Sequence, residues 1–223
     1  MAWTNITNAA VAAGAAVSTA LMTALRDNVT AVANRDAGAP KVLGANLDLI
    51  ERVAISGSPS VIDFTFTPTD YDEIVFKFAR IKPSANDGGL NLRTSTDGGS
   101  TFDDAGTAYR YVTQSVSAEA TPTESLLGAS VAAFIRIATD CGAAADEILS
   151  GSVSLFGPAL TTDGYASLTW QTIHENSSGV AIMTNGSGQR GASADVDAVR
   201  FYWSGGANFQ NLGTITAYGI RNN

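Results

Sequence analysis

The chain has 223 residues, 45% of them hydrophobic, with a single cysteine and a formal net charge of -8 at pH 7. That length buries a core without a covalent staple, and a lone Cys141 excludes an intrachain disulfide and a Cys/His zinc site. From residue 46 onward nineteen acidic groups face ten basic ones with no Lys/Arg cluster to offset them, so nucleic acid is not expected as a partner.

Residues 1–7 lack a basic n-region, and the alanine-rich residues 9–16 are too short and too weakly apolar for a signal or spanning segment. No membrane insertion is expected. From residue 18 to 34 the apolar positions Leu21, Leu25, Val29 and Val32 recur at helical spacing, with Ser18 as N-cap and Gly38 with Pro40 as the stop. A helix this short is marginal in water and needs a surface to cover its apolar stripe. Heptad phasing places Leu21 and Asn28 at d and Leu25 and Val32 at a, which suits a short parallel bundle with one polar layer. Docking on the chain's own β domain would serve equally.

Beyond Lys41 the apolar period changes to two, so we divide the chain into a helical stem, residues 1–45, and a head, residues 46–223. Ile74, Phe76 and Phe78 alternate with Val75 and Lys77. Leu90 and Leu92, Tyr109 and Tyr111, Ile135 and Ile137 each flank one residue. Val153 and Leu155, Leu168 and Trp170, the trio Val199, Phe201 and Trp203, and Ile215 and Ala217 continue the scheme. About ten strands with no intervening helices give a mainly β fold, a jelly-roll-like antiparallel β-sandwich on a short N-terminal α-helical stem. Trp170 and Trp203 belong to its core. Tyr109, Tyr111 and Tyr202 are read as packing residues, with outward stacking on sugars as the alternative.

Chemistry-bearing residues are few. His174, the only histidine, stands beside Glu175 where a strand gives way to the turn Asn176, Ser177, Ser178, Gly179, and is read as a solvated polar residue rather than a general base. Ser95, Asp97, Gly99, Thr101 and Phe102 fit the Asp-box pattern of sialidase-like propellers, a structural turn that we read as a hairpin between two strands. The acidic pairs Asp72 with Glu73, Asp103 with Asp104, and Asp146 with Glu147 lack calcium-loop spacing and are read as solvated loop charges. No catalytic, cofactor-binding or metal-binding residue is assigned, and no residue is singled out for glycan contact.

Several segments carry a family resemblance. Leu21, Leu25 and Asn28 followed by Gly38-Ala39-Pro40-Lys41 are similar to the N-terminal attachment region of tailed-phage fibre and spike proteins. The runs Tyr71 to Phe76 and Leu92 to Gly99, with Tyr109, resemble the strands of their jelly-roll heads, and Gly213-Thr214-Ile215-Thr216-Ala217-Tyr218-Gly219-Ile220 resembles their closing strand. The resemblance implies a homotrimer on a phage or gene-transfer-agent particle, made in the bacterial cytoplasm. It also implies contacts to other virion proteins through the N-terminal region and a head turned to a host surface polysaccharide. Its stem would oligomerise through Leu21, Leu25, Asn28 and Val32. The family pattern supplies no catalytic residue or cofactor. A polysaccharide depolymerase and a purely structural capsid decoration protein are the competing expectations.

Overall fold

The structure, a computed structural model, describes residues 4, 6, 18–34, 47–162 and 164–222, with helix side chains given through Thr30. Two compact units divide between Asn46 and Leu47. In the first, α1 (Thr19–Asn34) starts where Ser18 Oγ accepts from the backbone N–H of Leu21 at 3.1 Å, the N-cap bond its hydroxyl suits. Leu21 is half-buried, while Met22, Leu25 and Val29 are exposed. Asn28 is buried, and its amide accepts from Thr4 N and donates to Thr4 O, both at 2.8 Å. The side chain of Val32 lies outside the described residues.

The second unit consists of twelve strands, more than the ten that alternation suggests: β1 (Leu47–Ala54), β2 (Val61–Thr65), β3 (Tyr71–Ile81), β4 (Gly88–Ser95), β5 (Tyr109–Ser117), β6 (Glu124–Ala132), β7 (Ile135–Cys141), β8 (Leu149–Phe156), β9 (Ser167–Glu175), β10 (Ala181–Arg190), β11 (Ala198–Trp203) and β12 (Thr214–Arg221). They form an eight-stranded sheet, β1-β12-β3-β8-β9-β10-β5-β6, and a four-stranded sheet, β2-β11-β4-β7, antiparallel throughout. The pairs β1–β12, β2–β11, β3–β8, β4–β7 and β5–β6 fall alternately in the two sheets, which is the path of one long hairpin rolled over itself. This makes the head jelly-roll-like. The β9–β10 hairpin, inserted between β8 and β5, widens the larger sheet.

Inward positions of both sheets close the core. Phe201 meets Phe78 and Phe76 edge-on at centroid distances of 5.0 and 5.2 Å, and Phe64 meets Phe76 at 5.5 Å. Each such pair contributes about 0.5–1.5 kcal/mol beyond its buried area. Trp170 and Trp203 are both buried. Trp170 packs closely on Gly186, where an added Cβ would sit 2.2 Å from Trp170 Cζ2; only a residue without a side chain permits that approach.

The Asp-box-like turn forms but does not join paired strands. Asp97 accepts from Thr101 N at 2.9 Å, Thr101 Oγ1 at 2.7 Å and Ser95 Oγ at 2.8 Å, and Gly98 and Gly99 take the positive φ of the tight turn. Asp103 N then donates to Thr94 O, after which the chain crosses from β4 in the smaller sheet to β5 in the larger. The hairpin expectation is therefore corrected. Phe102 packs under Arg200, 4.0 Å from guanidinium carbon to ring centroid, and Arg200 holds Asp63 on β2 through two bonds of 2.7 Å. The motif ties a crossover loop to the smaller sheet.

Candidate functional site

His174 is not a solvated turn residue. Period two along β9 carries Leu168, Trp170, Thr172 and His174 to the inward side, and His174 is only 2% exposed. Neither ring nitrogen makes a hydrogen bond of good geometry, and burial pushes its pKa down against the weaker opposing effects of a backbone contact with Thr139 and of Asp140. A neutral imidazole enclosed in the sandwich cannot reach a substrate. Glu175, its neighbour, is half-buried at the strand end.

The acidic pairs are dispersed. Asp103 binds the buried Arg190 at 2.5 Å, Asp104 stands 3.9 Å from Arg93, and Glu147, itself buried, accepts from the backbone N–H of Ala144 at 2.6 Å. Two of these carboxylates, Asp103 and Glu147, are structural rather than the solvated loop charges expected. Among the described residues no three His, Cys, Asp or Glu side chains gather where a metal ion would be held. Tyr109 is buried, its hydroxyl accepting from Thr94 N at 2.7 Å, and desolvation raises its pKa to about 12. Tyr111 and Tyr202 are half-buried, Tyr202 beneath Arg93 at 5.2 Å.

What the topology assembles instead is the outward face of the eight-stranded sheet. Cross-strand register aligns Ser154, Thr169, Ser187 and Val112 in one row, and Ser152, Gln171, Asn185 and Gln114 in the next. Thr169, Gln171, Asn185, Ser187 and Gln114 are all exposed. Next along the strands come three exposed apolar side chains in register, Ile173, Met183 and Val116. Hydroxyls and amides thus form an ordered array of donors and acceptors, bounded by an apolar strip.

At the opposite end of this face is a groove of about 560 Å³ over β9, β10, β5 and β6, lined by Arg110, Val112, Ser167, Thr169, Ser187 and Gln189 among others. Arg110 is exposed and opposes Gln189 across the β5–β10 ladder. On its other side the β5–β6 register breaks between Tyr109 and Tyr111, a bulge of the kind that re-aims a side chain. Its guanidinium carbon lies 5.6 Å from the ring centroid of Tyr165, which is 41% exposed. Arg93, Arg190, Arg200 and Arg221 of the same unit each contact a carboxylate, whereas Arg110, like Arg52, Arg80 and Arg136, has no carboxylate partner among the described residues. The sequence offered only the alternation Tyr109-Arg110-Tyr111 as a signal. The companion hydroxyls come from strands that it does not align.

No family model matches this chain, and no curated protein or solved structure matches it either. The class that fold and site define is an antiparallel β-sandwich with a rolled, jelly-roll-like strand order and an uncovered polar sheet face. Among the described residues no helix is long and apolar enough to cross a membrane.

Proposed function

We propose that this protein is a virion structural subunit of the spike or fibre type, a trimer that attaches its particle to a glycan on the host surface. The observation that carries the reading is the outward sheet face: aligned rows of Ser, Thr, Asn and Gln beside a groove with an exposed aromatic ring match the hydroxyl-rich edges and apolar faces of sugars. The stem supports the second half of the reading. Met22, Leu25 and Val29 follow one another at spacings of three and four and are exposed, so they form a seam that identical helices would bury. Asn28 bonds Thr4 within the chain, so this reading takes Met22, Leu25 and Val29 as the seam in place of the phase that includes Asn28.

Three tethered heads engage a polymer together, so weak single sites combine into firm attachment without turnover. Light scattering of the full chain should give three protomers, and the trimer should bind surface polysaccharide on a glycan array. Release of reducing ends from that polysaccharide, abolished by replacing one acidic pair with Asn or Gln, would overturn the reading in favour of a depolymerase.

A further inference from the structure

Resting on the glycan-binding reading, we infer that the groove over β5, β6, β9 and β10 selects a carboxylate-bearing sugar, with Arg110 as the group that recognises the charge. Among the described residues Arg110 is the only charged one that lines the groove, with no aspartate or glutamate beside it. A guanidinium presents two parallel N–H groups that match the two oxygens of a carboxylate, and that bidentate bond is among the stronger polar contacts a surface can make. In this chain the other guanidiniums that stand beside carboxylates spend that capacity internally, as Arg200 does on Asp63 through two bonds of 2.7 Å. Arg110 rests against the Tyr165 ring instead, an arrangement that orients the guanidinium, and it has no carboxylate partner among the described residues.

The surroundings fit a sugar ring around that anchor. Ser167, Thr169 and Ser187 supply hydroxyls and Gln189 an amide along the groove, while Val112 gives an apolar patch for a ring face. The acidic body sharpens the selection. With a net charge of -8, the protein repels polyanions at long range, so an acidic glycan is retained only where a cation meets its carboxylate directly.

The test uses the full chain on a glycan array that carries uronate-, sialate- and pyruvate-bearing oligosaccharides beside neutral ones, with affinities of the hits measured by titration. Methyl-esterified forms of the uronate hits remove the charge while keeping the shape. The wild-type protein should bind carboxylated glycans and lose at least tenfold in affinity on their esters. Arg110→Gln should lose a similar factor, and Arg110→Lys, which keeps the charge but not the fork, should recover only part of it. Chemical shifts of Gln189 and Ser187 amides should move with the ligand. Unchanged binding by Arg110→Gln, equal affinity for acid and ester, or shifts confined to another face would overturn the assignment while leaving glycan attachment standing. A folded trimer that binds no glycan at all would overturn both.

Discussion

At the residue scale, His174 shows how burial becomes a pH dependence. The ring is buried with no well-formed hydrogen bond, and its pKa in the folded protein is pushed below the ordinary histidine value. The unfolded chain therefore takes up this proton first as the pH falls through about 6.5. Stability present above that pH is lost below it, at a limiting slope of about 1.4 kcal/mol per pH unit for one proton. Denaturant unfolding between pH 7 and 5 should show a steeper decline for the wild-type head than for His174→Leu. Parallel curves would mean that His174 protonates without difficulty where it is. Gly186 is the steric counterpart. Gly186→Ala places a methyl within Trp170, so the same unfolding measurement should report a loss of about 1–3 kcal/mol, and Trp170 fluorescence should shift.

At the element scale, legibility in the sequence follows burial. β3, β9 and β11 alternate because one side of each faces the core, and the helix is legible from its stripe and its Ser18 cap. β6 escaped because nearly all of it is exposed, which removes the pressure that writes alternation into a strand. β10 escaped because Ile182 is the one large apolar residue on its inward side, followed by Thr184, Gly186, Gly188 and Arg190, small or polar residues under Trp170 and Ile135. His174 was legible in principle, since period two from Leu168 leads inward to it, but the following turn residues suggested solvent. The groove was not legible, because it depends on the register of four strands and a bulge. For α1 the proposed seam is what can be tested. Leu25→Glu puts three charges into the Met22, Leu25, Val29 seam and should reduce the trimer to monomers in sedimentation velocity, with the head's circular dichroism unchanged. A trimer that persists would place the contacts on the head.

At the scale of the whole molecule, the two units carry separable properties. All the strands among the described residues, and the rolled topology, lie within Leu47–Asn223, so the entropy of ordering the head is offset by its own core. A chain of residues 47–223 should unfold in one cooperative transition, at a denaturant midpoint close to that of the full protein. What it should lose is valency. If the stem gathers three heads, its removal leaves the affinity of one groove for a short oligosaccharide unchanged and lowers apparent affinity for an immobilised polysaccharide by about 10²-fold or more. Surface plasmon resonance with both ligands separates the two effects. Equal loss on both would show that residues 1–46 shape the groove itself, and no loss on either would show that attachment does not depend on the stem.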